Sequence, residues 1–232
     1  LEPHIEVFGI DPERVNEQKH GIPLQPHFKY GPQLLNRKFK LGFSSVIFDE
    51  QSNCFVPDNC VEVLTNDVGI APIVENNNLT GYQVYIGGGQ GEKNGQPTFS
   101  ALGLPFGVFR TKERLREGLD AIVQVHQEIG DRKNRHSARL RYDLYALGKG
   151  DMEKGVQEYL KLVKEKIVEV GLANPNLDIG DRNLHHGWME QRSNGLWSYG
   201  AFIESGRVID GPNGNLKSMI RHLMDKYPIA VM

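Results

Sequence analysis

The feature that most constrains the fold is a stripe of apolar residues in the second half of the chain. Its members lie at steps of four, three, four and three residues: Val156, Leu160, Val163, Ile167 and Val170. This is the period of an α-helix with one apolar face, and it predicts a helix that Asp151 caps and Gly171 closes. Because that face must be covered, we expect the helix to pack on a β-sheet.

The strands of such a sheet are predicted earlier in the chain, where β-branched and aromatic residues are concentrated. The candidate strands are 39–43, 45–48, 61–64, 68–74 and 81–86, with a turn at 76–78. Thr111 is placed to cap a helix that runs to about Ile129 and ends at Gly130. A further helical stretch is predicted over about 134–147.

The pattern changes after a linker at 173–178. The segments 187–190 and 196–203 predict a hairpin with its turn at 193–195, and a short amphipathic helix follows from Leu216 to about Tyr227. We therefore predict an α+β fold, with a mixed sheet and flanking helices in residues 34–172 and a partial α+β unit in residues 178–232. Residues 1–33 hold five prolines and are predicted to be irregular.

Composition limits the classes of function. The formal net charge is −2, which argues against general nucleic-acid binding or a membrane-surface role. No apolar run approaches the roughly 20 residues of a membrane span. Two cysteines cannot build a disulfide framework, which favours a reducing, cytoplasmic setting. The initial Leu1 and the apolar last residues suggest a piece of a longer chain.

The most informative motif is Arg37-Lys38-Phe39-Lys40. In a strand, Lys38 and Lys40 would share one face and Phe39 the other. Two ammonium groups on one face repel each other, so they favour an anion between them. The alternative is a pair of solvated lysines on an edge strand, and spacing alone favours that alternative.

Two further groups of residues suit a carboxylate-bearing flat ligand. Four arginines lie close together at a predicted helix start: Arg132, Arg135, Arg139 and Arg141. Arg135 and Arg139 would share a helix face, although an exposed basic helix explains the cluster equally well. The run Gly87-Gly88-Gly89 follows a strand and would allow close backbone approach, or it is a plain turn. It matches neither a P-loop nor a dinucleotide fingerprint.

Taken in order, these motifs resemble the sirohaem-dependent sulfite and nitrite reductases. The matching segments are 37–40, 64–69, 81–89 and 130–142. Segments 184–190 and 202–208 resemble the opening of that family's second ferredoxin-like half. The resemblance runs from about residue 34 to the end, and it implies a sirohaem-domain-like half followed by a partial ferredoxin-like half-domain.

The resemblance implies roles for named residues. Lys38 and Lys40 would be catalytic, since they would hold the oxyanion and donate protons to it. The implied cofactor-binding residues are Arg37, Asn66, Gly87, Gly88, Gly89, Arg139 and Arg141, and Arg139 is the best matched of the arginines. Nitrite-type members tend to keep only the first lysine, so the pair favours sulfite.

The whole enzyme implied by this resemblance reduces sulfite to sulfide in six electron steps. Sirohaem coupled to a [4Fe-4S] cluster would carry the electrons, which ferredoxin or a flavoprotein would supply. Cys54 and Cys60 mimic one half of the family's C-x5-C plus C-x3-C cluster motif, but no second pair is present. We therefore expect two loop thiols, no metal ligands, no bound sirohaem and no turnover in this chain alone.

Two alternatives remain open from the sequence. The chain could come from a nitrite reductase, or it could be a non-catalytic binding or scaffold module derived from the family. Among the other residues, His136, His185 and His186 are interpreted as surface or hydrogen-bonded groups. Trp188 and Trp197 are predicted to be core residues of the hairpin.

Overall fold

A computed structural model describes residues 35–227, apart from 94–95, 98, 168, 181–183, 191–194, 204–205 and 213. The chain divides into two compact units, residues 1–182 and residues 183–232. The predicted irregular extension over residues 1–33 lies outside the described residues.

The first unit is built on a four-stranded sheet. Its strands are β1 (Leu41–Phe43), β4 (Val68–Glu75), β5 (Asn78–Ile86) and β8 (Leu104–Phe109), in the order β1-β4-β5-β8. Strand β1 runs parallel to β4, whereas β4, β5 and β8 pair antiparallel. The predicted α+β class with a mixed sheet is confirmed.

Shorter strands lie beside this sheet. They form one hairpin of β2 (Ser45–Asp49) with β3 (Cys54–Asp58) and one of β6 (Glu92–Lys93) with β7 (Gln96–Pro97). The predicted strand at 61–64 is wrong, because Glu62 has a φ of 51° and Val63–Thr65 form a 3-10 turn. Strands β3 and β8 escaped prediction, since each contains a proline and β8 also a glycine.

Three helices cover the sheet: α1 (Lys112–Ile129), α2 (Leu140–Leu147) and α3 (Met152–Lys164). Both predicted caps are confirmed, since the Thr111 and Asp151 side chains accept hydrogen bonds from backbone N–H groups three residues on, at 3.2 Å and 3.1 Å. Helix α3 ends at Lys164, earlier than the apolar stripe suggested, and Gly171 instead pairs with Val108 of β8.

The core lies between the sheet and the helices. It includes Val68, Ile70, Val84 and Ile86 from the sheet and Leu115, Ile122, Leu140 and Leu144 from the helices. Tyr159 of α3 is fully buried and donates its hydroxyl to the Ile122 carbonyl at 2.6 Å. In the part of the chain that the structure describes, no helix is both long and apolar enough to cross a membrane.

The second unit is smaller. It contains the antiparallel pair β9 (Gly187–Glu190) and β10 (Trp197–Gly200), the short pair β11 (Asp210–Gly211) and β12 (Gly214–Asn215), and helix α4 (Leu216–Lys226). The hairpin and the helix were predicted, but most of the predicted hairpin turn lies outside the described residues. The prediction that Trp188 and Trp197 are core is wrong, because they are 70% and 59% exposed.

Candidate anion and cofactor site

The lysine segment lies just before β1 and not inside it. Lys38 and Lys40 are exposed, whereas Phe39 between them packs partly buried against the core. The predicted strand therefore begins two residues too early, but the alternation of exposed and buried side chains is present. Both lysine side chains are therefore accessible from solvent.

The backbone ahead of these lysines is held by the loop of residues 130–139. The Asn36 side-chain amide donates to the Asp131 carbonyl at 2.9 Å. Arg37 donates from Nη1 to the Arg135 carbonyl at 2.8 Å. These two bonds bring the lysine segment beside the arginine-rich loop, which lies almost a hundred residues away in the sequence.

A single buried carboxylate joins the parts of the site. Asp67 is fully buried, and its Oδ2 accepts the backbone N–H of Lys40 at 2.8 Å. Its two oxygens also accept Nε and Nη2 of Arg139 at 2.9 Å and 2.5 Å. The Asp67 carbonyl accepts the N–H of Gly87 at 2.9 Å. Asp67 therefore fixes the lysine segment, the glycine run and Arg139 relative to one another.

Arg139 is 6% exposed and forms a two-point ion pair with Asp67. Such planar pairing is the geometry that guanidinium and carboxylate favour. The predicted helix face shared by Arg135 and Arg139 is wrong, because Arg135 lies in a 3-10 turn and Arg139 is the extended cap residue of α2. The predicted cofactor contact of Arg139 would have to use the edge of the guanidinium that Asp67 leaves open.

Arg141 has the opposite environment. It is 4% exposed, yet its Nε and Nη1 have no hydrogen-bond partner among the described residues. The guanidinium carbon lies 5.1 Å from the centre of the Tyr142 ring. A buried charge without a hydrogen bond is costly. These two nitrogens are therefore positioned for an acceptor that the described chain does not provide.

Each glycine of the run 87–89 meets a close neighbour. Gly87 has a φ of +88°, and a Cβ there would lie 2.5 Å from Leu144 Cδ1. A Cβ on Gly88 would lie 2.2 Å from the Leu64 carbonyl oxygen. A Cβ on Gly89 would lie 2.2 Å from Nη1 of Arg141. The glycine run thus allows the backbone to pass directly beside that guanidinium.

Asn66 lies next to this run but has a local role. Its Nδ2 donates to the Glu62 carbonyl at 3.0 Å, which stabilises the turn before β4. The Asn66 carbonyl would be 2.6 Å from a Cβ on Gly88. Asn66 therefore adjoins the glycine run through its backbone, and its side-chain amide holds the turn.

A buried ionisable pair lies behind the lysine segment. His126 Nδ1 and Asp143 Oδ2 are 2.5 Å apart, and both residues are buried. Burial raises the pKa of the Asp143 carboxyl, and the hydrogen bond with His126 opposes that rise. The ring of Phe39 packs on His126 with centroids 5.2 Å apart. The pair is therefore in contact with the residue between the two lysines.

The two cysteines lie on the β2–β3 hairpin and just after it. Both are free thiols: Cys54 opens β3, with its Sγ 3.0 Å from Ser52 Oγ, and Cys60 is exposed. Burial and the nearby charge of Asp58 raise the pKa of the Cys60 thiol. A raised pKa reduces the thiolate fraction, which is the form that binds metals.

The structure thus brings most of the predicted residues together. Asp67 contacts the backbone of Lys40 and Gly87 and the side chain of Arg139. Arg141 adjoins Gly89, and Arg37 contacts the arginine-rich loop. The sequence analysis included Asp67 only as part of the matching segment 64–69 and gave it no role, and it did not single out His126 or Asp143. The available signal for Asp67 was an acidic residue directly before a strand that is apolar up to Val74, since a buried carboxylate there requires a cationic partner.

Comparison with known proteins identifies relatives of this chain. A family profile described as the nitrite and sulphite reductase 4Fe-4S domain matches residues 10–164. The sulfite reductase [NADPH] hemoprotein beta-component of Shewanella oneidensis is 34% identical over 198 residues, which cover 84% of this chain and 31% of the relative. The same component of Shewanella putrefaciens is 31% identical over 195 residues, with the same coverage. The chain therefore spans about a third of the length of these relatives.

Proposed function

Because the chain belongs to the nitrite and sulphite reductase 4Fe-4S domain family, we propose that it is the part of a sulfite reductase that binds the substrate oxyanion and one edge of the sirohaem. This membership confirms the family resemblance of the motifs. The observation that carries the proposal is Asp67, whose hydrogen bonds fix the lysine segment, the glycine run and an arginine in one place.

In this proposal Lys38 and Lys40 bind sulfite. Both are exposed, and the core contact of Phe39 together with the hydrogen bond from the Lys40 N–H to Asp67 restricts their backbone. Two ammonium groups at one anion would offset the charge of a dianion better than that of a monoanion. Each also carries protons that it can donate to an oxygen leaving the sulfur.

Arg141 supports the cofactor half of the proposal. Sirohaem bears several carboxylates, and the two unpartnered nitrogens of this buried guanidinium fit one of them. The lack of side chains at 87–89 lets the backbone lie directly beside the guanidinium, and in this proposal the run forms one wall of the cofactor edge. When bound, sirohaem supplies electrons to the sulfur through its iron. Arg37, Asn66, Gly87, Gly88, Gly89 and Arg139 complete the proposed cofactor edge.

The residues of this chain do not fit a [4Fe-4S] cluster. Such a cluster takes about four thiolates, and the sequence contains two cysteines. Of these, Cys60 is exposed and has a raised pKa. In the proposed whole enzyme, the cluster ligands therefore belong to another part of the protein.

The domain organisation follows from the same proposal. Residues 34–172 would form a sirohaem-domain-like half, and residues 178–232 a partial ferredoxin-like half-domain. The whole cytoplasmic enzyme would reduce sulfite to sulfide with electrons from ferredoxin or a flavoprotein. Since the chain spans about a third of its relatives, we expect it to be inactive alone.

The oxyanion site can be tested on this chain directly. Titration with sulfite, followed by NMR of the lysine Cε–Hε groups, should shift the signals of Lys38 and Lys40 together. Lys38→Ala or Lys40→Ala should weaken binding by about fivefold or more. Lys161→Ala is the matched control, because Lys161 is an exposed lysine on α3 that pairs with Glu158. Equal effects of all three variants would contradict the proposed site.

Two further outcomes decide between the alternatives. If nitrite binds as tightly as sulfite and Lys40→Asn changes neither affinity, the result favours the nitrite reductase alternative over the sulfite reductase. If the chain, mixed with the rest of its parent protein and sirohaem, develops no Soret-type absorbance band, the scaffold alternative replaces the reductase. A band that Arg141→Met weakens would support the cofactor assignment.

A further inference from the structure

The lysine segment is supported from behind by residues to which no role in the proposed function has been given. Phe39 lies between Lys38 and Lys40, and its ring packs on the imidazole of His126 with centroids 5.2 Å apart and planes inclined at 43°. His126 is 1% exposed. The imidazole therefore forms part of the surface on which Phe39 packs.

The imidazole is held by one specific partner. Its Nδ1 lies 2.5 Å from Oδ2 of Asp143 on helix α2. A hydrogen bond to one ring nitrogen fixes both the tautomer and the ring orientation. Because α1 carries His126 and α2 carries Asp143, this bond connects the two helices directly under Phe39.

A gain in fold stability does not by itself explain why His126 and Asp143 are buried as a pair. Two buried ionisable groups lose their hydration, and an apolar pair of similar volume is often as stable or more stable. Burial raises the pKa of Asp143, as expected for a carboxyl with that penalty. An apolar side chain at position 126 would also pack on Phe39, but it would lack a bond that sets its orientation.

We infer that His126 is a positioning residue for oxyanion binding: Asp143 orients its imidazole, the imidazole orients Phe39, and Phe39 sets the separation of Lys38 and Lys40. The inference rests on the proposed function of the two lysines. It adds that their joint affinity for an anion is set by a hydrogen bond that does not touch the anion.

The test uses this chain, sulfite titration and the NMR signals of Lys38 and Lys40. His126→Leu and Asp143→Leu remove the hydrogen bond, and each should raise the Kd for sulfite by about fivefold, since the attraction falls as the ammonium groups move apart. Asp143→Asn keeps an acceptor for Nδ1 and should restore the Kd to within about twofold of the natural chain.

A matched control separates positioning from general loss of stability. Val163→Ala removes two buried methyl groups from α3, so it should lower the Tm without changing the Kd. If His126→Leu fails to fold, Phe39→Ala interrupts the same series of contacts at a half-buried residue. It should raise the Kd by a similar factor.

The outcomes distinguish this inference from the proposed function. If the natural chain binds sulfite and His126→Leu binds it equally well, the positioning role is wrong and the lysine site stands. If no variant or natural chain responds to sulfite, the proposed oxyanion site is wrong. In that case the Lys38 and Lys40 signals of His126→Leu are compared with those of the natural chain, both without anion. Unchanged signals would also contradict the positioning role, whereas shifted signals would show that His126 still sets the conformation of the lysine segment.

Discussion

Arg139 and Arg141 lie two residues apart, and both are buried, yet their surroundings differ completely. Arg139 forms a two-point ion pair with Asp67. Arg141 has two guanidinium nitrogens without a hydrogen-bond partner among the described residues. Under the proposed function, Arg139 holds the site together through Asp67, and Arg141 offers its unpartnered nitrogens to a ligand.

The largest expected effect tests Arg139, the arginine that is fully paired with Asp67. Asp67→Ala leaves the buried Arg139 charge without a partner, and we expect the free energy of unfolding to fall by about 3–5 kcal/mol. Urea unfolding followed by circular dichroism measures the loss. Glu158→Ala is the control, since that half-exposed acid pairs with Lys161 on the surface and should change little. A loss below about 1 kcal/mol for Asp67→Ala would mean that Arg139 is not held as described.

The next largest effect is expected in the glycine run, where Gly88 and Gly89 have different neighbours. Gly88→Ala places a Cβ against the backbone carbonyls of Leu64 and Asn66, and we expect a loss of about 2–3 kcal/mol. Gly89→Ala meets only the end of the Arg141 side chain and no backbone atom, so its loss should be about 1 kcal/mol or less. Thermal unfolding of the two variants side by side measures the difference. A larger loss for Gly89→Ala than for Gly88→Ala would contradict the neighbours described for the two glycines.

A smaller effect tests Arg141, the arginine with unpartnered nitrogens. Arg141→Met removes a buried charge with two nitrogens that have no hydrogen-bond partner among the described residues. The ligand-free chain should therefore gain about 1 kcal/mol of stability. Arg139→Met is the matched control and should lose stability, because it leaves the Asp67 carboxylate buried and unpaired. Chemical unfolding of both variants provides the measurement. A loss for Arg141→Met as large as that for Arg139→Met would remove the distinction between the two arginines.

The smallest effect concerns the pH dependence of the His126–Asp143 pair. The pKa of Asp143 is raised by burial above its usual 3.8, so the folded state binds this proton more tightly than the unfolded state. The contribution of Asp143 to stability is therefore greatest below pH 3.8 and declines as the pH rises through the raised pKa. The free energy of unfolding of the natural chain, minus that of Asp143→Asn, should fall over this range. A rising difference would contradict the direction of the shift.

Much of the first unit follows from local sequence rules. The helix caps at Thr111 and Asp151 are confirmed, since their side chains satisfy free N–H groups whatever the tertiary context. The apolar stripe overestimated α3 because Ile167 and Val170 pack against the same core from outside the helix. Periodicity reports which residues are buried, and it does not report whether the backbone between them is still helical.

The site was less predictable because its organisation depends on long-range pairing. Family motifs placed the lysines, the glycine run and the arginines in one site, and these segments lie close together in the structure. Nothing local indicated that Asp67 would bind Arg139, or that His126 would meet Asp143. Such partners are set by how the helices fold onto the sheet. The individual roles of the predicted site residues stay predictions.

The bonds to Asp67 have a consequence for the order of folding. This carboxylate meets the Lys40 backbone across 27 residues and Arg139 across 72. On a ribosome, the Lys40 segment and Asp67 emerge well before the cation that neutralises the carboxylate in the interior. A nascent chain that stops short of residue 139 would therefore keep Asp67 hydrated, and the arrangement of the lysine segment, Asp67 and Arg139 would form only with the last steps of closure.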